Sequence, residues 1–307
     1  MKVLFFFIDG VGLGKEVPAN PFVFTATPGL NNILGGGDLT VERSGYTGPA
    51  ATLTDLDSSL GVPGLPQSAT GQTTIFTGVN APAYLGRHAS GFPGPGLRKL
   101  LACRGIFKKL KEKGYRVCFA NAYRPPFFDQ LRHGLKGERY SCSTLITYYG
   151  EVLFLSLEDI NQGRALFMDI TNDTLQRLGY NVDLISPETG AERLLQISTN
   201  YDFTLFEYFI SDLAGHTRDR KESSRVISVL DRFIGTLAEL NDHEKQLIII
   251  SSDHGNLEDL TTGAHTCNPV PGLLIGPADL RGYLAPSLGN LTDLLPVFRK
   301  ALEWKDD

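Results

Sequence analysis

Three short apolar runs in this chain each give way to an aspartate. Lys2–Ile8 runs into Asp9, Phe203–Ile210 into Asp212, and Gln246–Ser251 into Asp253. Runs of that length, apolar throughout rather than alternating, read as strands buried on both faces. Tyr115–Ala120 and Gly272–Ile275 read the same way. Helical patterns lie between them. Ile106, Phe107 and Leu110 share one face of a helix that Gly114 stops, and Ser186-Pro187-Glu188 is a capped helix entry. From Glu222 to Leu240 the apolar positions Val226, Ile227, Leu230, Phe233, Ile234, Leu237 and Leu240 follow a 3.6 period. A last helix is expected over 291–304, with Pro296 near its first turns. Strands alternating with helices predict an α/β fold, a mostly parallel sheet covered on both faces. Such sheets bind ligands beyond the carboxyl ends of their strands. Three carboxylates on that one rim call for positive charge to match them.

Lysine and arginine do not supply it as a patch. They number 29 against 34 acids and are scattered, for a formal charge of −5, so a nucleic-acid partner is not expected. The apolar start is too short for a signal peptide and is cut by Asp9-Gly10. No run approaches the ~20 residues of a membrane span, so no membrane partner is expected. Cys103, Cys118, Cys142 and Cys267 form no CxxC pair, as expected of reduced thiols in a cytoplasmic protein. The stretch 124–184 alternates weak signals around Tyr148, Tyr149, Leu153, Phe154 and Leu155. It reads as a short insertion or cap between two parts of one core, 1–123 and 185–307.

Four segments carry chemistry. Asp212-x-x-x-His216 sets two metal-binding side chains four residues apart, able to face one centre. Asp253-His254 ends a buried strand, where an acid needs a cationic partner, and His265 follows eleven residues on. Half of the six histidines lie in these segments. Ser68-Ala69-Thr70-Gly71-Gln72-Thr73-Thr74 reads as a loop opening a helix, where free backbone amides attract a phosphate. A serine hydroxyl needs activation to act as a nucleophile, and metal coordination provides it. Gly10-x-Gly12-x-Gly14 after a strand misplaces the third glycine of a dinucleotide loop. Arg87, His88, Arg124, Arg132, His133 and Arg139 are candidate oxyanion ligands for a substrate.

Together, Asp9-Gly10, Ser68-x-x-Gly71, Asp212-x-x-x-His216, Asp253-His254-Gly255-Asn256 and Ala264-His265-Thr266-x-Asn268-Pro269 resemble, in order, the motifs of the cofactor-independent phosphoglycerate mutases. Phosphopentomutases share that core, within the alkaline phosphatase superfamily. The resemblance runs from residue 1 to about 300 and implies a three-layer α/β/α, alkaline-phosphatase-like core. It implies two divalent ions, Mn2+ or Zn2+: one held by Asp212, His216 and His265, the other by Asp9, Ser68, Asp253 and His254. Ser68 is then the nucleophile, acting through a phosphoserine.

Two departures shape the expected activity. The mutases carry a large domain between nucleophile and second metal motif, and here the interval from Ser68 to Asp212 leaves room for a short insertion. Gln72 stands where they usually have histidine. Sulfatases share the fold but need a Cys- or Ser-x-Pro-x-Arg motif that Ser68-Ala69-Thr70-Gly71-Gln72 lacks. The expected activity is therefore that of a phosphatase or phosphodiesterase on a small phosphorylated metabolite. A phosphomutase is the alternative, and a non-catalytic metal-binding module the rival of another class.

Overall fold

The computed structural model describes residues 1–135 and 139–304. Its strands are β1 (Lys2–Ile8), β2 (Ala51–Leu56), β3 (Val117–Phe119), β4 (Ala122–Tyr123), β5 (Leu155–Ser156), β6 (Phe203–Tyr208), β7 (Gln246–Ser251) and β8 (Val270–Ile275). Six form one sheet in the order β2-β8-β7-β1-β6-β3, and β4 and β5 pair separately. β1 runs parallel to β6 and β7, and β3 parallel to β6, whereas β8 is antiparallel to β7 and β2. This is the mostly parallel α/β sheet expected from the sequence.

The unbroken apolar character of β1 follows from its central place. Leu4, Phe6 and Ile8 enter one core with Phe206 and Phe233; Val3, Phe5 and Phe7 enter the other with Phe76 and Phe298. A strand with helices on both faces has no solvent side on which to put polar residues. Each buried phenylalanine contributes roughly 1.5–3 kcal/mol. The helix Arg220–Leu240, capped by Asp219, buries Val226, Ile227, Leu230, Phe233, Ile234 and Leu237 against the first core. Its N-terminus lies two residues before the expected Glu222.

Three expectations need adjusting. β2 was not foreseen as a strand; it is the sheet's edge, antiparallel to β8. The last helix is two pieces, a 3₁₀ turn Leu291–Asp293 and a helix Leu294–Ala301, with Asn290 capping the first. The glycine- and proline-rich stretch 91–96 reads as a loop from its composition, but Pro95 already opens a helix to Arg104. Within 124–184, Cys142, Leu145 and Ile146 join one core and Leu166, Ile170 and Leu175 the other. Much of that stretch therefore shares the hydrophobic interior of the sheet. No described helix is long and apolar enough to cross a membrane.

Candidate metal centre and nucleophile

Parallel register brings the acids to one edge. Ile8 pairs with Tyr208 and Phe7 with Ser251, so β1, β6 and β7 end level, and their next residues emerge together. Asp9 follows β1 directly, its amide bonded to the Tyr208 carbonyl at 2.9 Å. Asp253 follows β7 by two residues. β6 turns at once into the helix Ile210–Thr217, which puts Asp212 in its first turn and His216 in its last. Residues four apart on a helix share a face. Gly10 takes a positive φ of 70°, and a Cβ there would lie 2.7 Å from Asp212 Oδ1, so only glycine lets the loop after β1 meet this helix.

The helix Ser68–Thr77 lies against this edge. Gly71 lets it approach, since a Cβ would come 2.8 Å from Asp253 Cβ. Its threonines satisfy their hydroxyls on carbonyls one turn back: Thr73 on Ala69 (2.6 Å), Thr74 on Thr70 (2.8 Å) and Thr77 on Thr73 (2.6 Å). Gln67 holds the cap position and Ser68 is the first helical residue. Its hydroxyl is thus no cap, and lies 2.9 Å from His254 Nε2. One of the amides at the start of this helix is already used, because Thr70 N bonds the Ala89 carbonyl (3.3 Å).

Seven residues meet here. His254 Nε2 is 3.3 Å from Asp9 Oδ1 and 3.6 Å from Asp253 Oδ2. Asp212 reaches His216 Nε2 at 3.3 Å and His265 Nε2 at 3.6 Å. Two groups have donor atoms close enough to share an ion: Asp212, His216 and His265; and Asp9, Asp212 and His254. Asp212 belongs to both, a bridging place not foreseen from the sequence. The rings of His254 and His265 stack at 3.7 Å and 13°. Each histidine spends Nδ1 on a carbonyl: His216 on Gly263 (2.8 Å), His265 on Pro66 (2.9 Å) and His254 on Gly255 (3.3 Å). With Nδ1 turned to a carbonyl, each ring aims Nε2 at the centre, the atom that a metal-binding imidazole offers.

Charge is unbalanced. Asp253 and His254 are wholly buried, while the His216 side chain is 42% exposed and marks the mouth. Burial pushes the Asp253 carboxyl well above its usual range, and the nearby Asp9 carboxylate adds to that. Burial would depress the His254 imidazolium, but the carboxylates of Asp253 and Asp9 outweigh it and raise its pKa to about 10. His265 is lowered by burial and by its stacked neighbour His254. Asp9 Oδ1 is buried without a hydrogen-bond partner. A cluster that clings to protons and orphans a carboxylate oxygen fits divalent cations, and its oxygen and nitrogen donors suit them chemically.

Three supporting residues were missed or undervalued from the sequence. Gln72 Nε2 donates to Asp9 Oδ2 and to Asp253 Oδ2, both at 3.2 Å, and so bridges the two acids. Asn256 Nδ2 donates to Asp212 Oδ1 (2.7 Å) and its carbonyl (3.1 Å). Glu207, the single acid inside β6, is buried beside the centre and accepts from the Ser143 hydroxyl. An isolated acid in an apolar strand was the available signal. The suggested oxyanion ligands are placed less tellingly. Arg87 and Arg139 are exposed, and Arg87 bonds the His88 carbonyl at 3.3 Å. His88 bonds that of Val62 at 3.1 Å, and Arg124 is the exposed cap residue of the helix Pro125–Arg132.

The model of the metalloenzyme superfamily matches residues 174–304, which include Asp212, His216, Asp253, His254 and His265. A 2,3-bisphosphoglycerate-independent phosphoglycerate mutase of Cereibacter sphaeroides is 32% identical over 129 residues, 39% of this chain and 25% of the mutase. The chain thus matches about a quarter of that relative's length. The alkaline phosphatase of the Antarctic bacterium TAB5 superposes with TM-score 0.57 over 99% of both chains at 15% identity. The phosphoglycerate mutase of Leishmania mexicana gives 0.56 over 100% of this chain and 96% of that one, at 11% identity. Divalent metal ions are implied for the acid and histidine cluster by the family match and its donor set. The chain has the fold of the TAB5 alkaline phosphatase and the Leishmania phosphoglycerate mutase, and over residues 174–304 it is similar to the metalloenzyme superfamily.

Proposed function

We propose that this protein is a two-metal phosphoryl-transfer enzyme that acts through a phosphoserine on Ser68, as a phosphatase or phosphodiesterase of a small phosphorylated metabolite. The observation that carries the reading is the 2.9 Å approach of Ser68 Oγ to His254 Nε2, beside Asp9 and at the start of a helix. Asp212, His216 and His265 would hold one ion, and Asp9, Ser68, Asp253 and His254 the other; manganese and zinc both suit these donors. Bound there, the ions supply Lewis-acid charge and lower the pKa of the serine hydroxyl. Ser68 Oγ, its proton passed to solvent water, attacks phosphorus; the bond to the leaving oxygen breaks, and that oxygen departs with the electron pair and takes a proton from water. The amides of Ser68 and Ala69, in the first turn of the helix, would supply positive charge to the phosphoryl oxygens. Water then cleaves the phosphoserine and releases phosphate.

Hydrolysis is favoured over mutase chemistry because residues such as Cys142, Leu145 and Leu166 are spent on the shared core. That leaves little of the interval to shut water out while an intermediate turns over. The mutase reading keeps one specific support, the phosphoglycerate mutases among the chain's relatives. A panel of phosphorylated metabolites, assayed with manganese and with zinc, separates the two by scoring free phosphate against isomerised product. Acid quench followed by peptide mapping should find phosphate on Ser68. Phosphate on Thr70 or Thr73 would refute the assignment of the nucleophile. No phosphate release from any aryl phosphate would leave a metal-binding module.

A further inference from the structure

Gly12 and Gly14 are explained by a buried carboxylate, that of Glu258, which is 1% exposed. A Cβ on Gly12 would overlap its oxygens, one on Gly14 would lie 2.9 Å from its Cγ, and one on Gly255 would also collide with Oε1. Three glycines on two loops therefore leave room for this one side chain. Four donors converge on it. Oε2 accepts from the amides of Gly12 and Asn256, both at 2.8 Å. Oε1 accepts from Asn268 Nδ2 at 3.0 Å and from the Thr266 hydroxyl. A carboxylate withdrawn from water needs such donors, and here they come from three separate segments.

Those segments are the ones that carry the centre. Gly12 lies in the loop after β1 that begins with Asp9. Asn256 is two residues beyond His254, and Thr266 is next to His265. Asn256 in turn donates its side-chain amide to Asp212 Oδ1. We propose that Glu258 is a positioning residue for the metal centre: its carboxylate ties together the loops bearing Asp9, His254 and His265 and, through Asn256, orients Asp212. This inference rests on the two-metal reading above and adds to it the group that sets the ligand geometry.

Glutamine at 258 keeps the shape but offers a single acceptor oxygen. Thr266 and Asn268 can turn to present acceptors to the new NH2 group, whereas the main-chain amides of Gly12 and Asn256 cannot. Glu258→Gln should therefore fold, yet hold its ligands loosely. Partners beyond the direct ligands typically alter metal affinity by about 10–100-fold. The test uses the full chain, with Mn2+ binding followed by the free-ion electron paramagnetic resonance signal. The visible spectrum of the Co2+-loaded protein reports ligand geometry, and circular dichroism verifies that each variant is folded at the assay temperature. Expected are Mn2+ binding about 10–100-fold weaker in Glu258→Gln, an altered Co2+ spectrum, a smaller loss in Thr266→Val, and recovery in Thr266→Ser. Wild-type affinity and spectrum in folded Glu258→Gln overturn the inference alone. If Glu258→Gln does not fold, unchanged binding by Thr266→Val overturns it instead. A wild-type protein that takes up neither ion overturns the metal reading, and this inference with it.

Discussion

Ser68 occupies the first helical position with Gln67 as cap, so removing its hydroxyl deletes no helix cap. Ser68→Ala should lose about 0.5–1.5 kcal/mol of stability, the worth of its one hydrogen bond to His254, and at least ~10³-fold in turnover of an aryl phosphate. Steady-state kinetics beside thermal denaturation make the comparison, and retained turnover would remove Ser68 from the chemistry. Glu207 offers a pH test at the same scale. Burial, reinforced by the Asp9 carboxylate, lifts its pKa from 4.5 to about 7 against the opposing bond from Ser143. The folded protein then binds this proton more tightly than the unfolded chain does. Its contribution is complete below pH 4.5 and is lost as pH rises through 7. With a chelator present, Glu207→Gln should remove a pH-dependent loss on the order of 3 kcal/mol between pH 5 and 8. Denaturant unfolding across that range checks it, and parallel profiles for variant and wild type would count against it.

Between elements, the helices Pro187–Ser198 and Arg220–Leu240 are joined at the surface by Glu188 and Arg232, bidentate at 2.6 and 2.7 Å. The arginine hydrogen bonds hold the Glu188 carboxyl down at about 2, so the pair stabilises above pH 4.5 and fails as pH falls toward 2. Both side chains are substantially exposed and solvent screens them, so Glu188→Gln should cost under about 1 kcal/mol at neutral pH and nothing at pH 2. A larger cost at pH 2 than at pH 7 would contradict this. The elements differ in how openly the sequence announces them. β1, β6 and β7 were legible because burial on both faces forbids polar interruptions. β2 was not, since Thr54 and Asp55 are tolerated where an edge strand leaves one side partly solvated. The seven centre residues were visible as types and spacings. The bridging of Asp212, the amide of Gln72 and the convergence on Glu258 depend on how loops distant in sequence come to lie together. Two-residue strands such as β4 and β5 carry no periodicity to read.

For the molecule as a whole, metal binding and folding are one equilibrium. Ions that bind only the folded chain at 100 times their dissociation constant add about 2.7 kcal/mol per site. Chelation should lower Tm by several degrees and Mn2+ or Zn2+ should restore it, as read by calorimetry; no shift with any divalent ion would sink the two-metal reading. The same architecture sets a schedule for the newborn polypeptide. β1 is hydrogen-bonded on one side to β6 and on the other to β7, its Val3 facing Phe203. At ordinary rates of synthesis it leaves the ribosome roughly 10–40 s before either neighbour exists. Throughout that wait Val-Leu-Phe-Phe-Phe-Ile is a sticky ribbon with both edges open. Release of chains stalled before residue 203 should yield aggregates that a holding chaperone keeps in solution, while chains extended past β8 should need it far less.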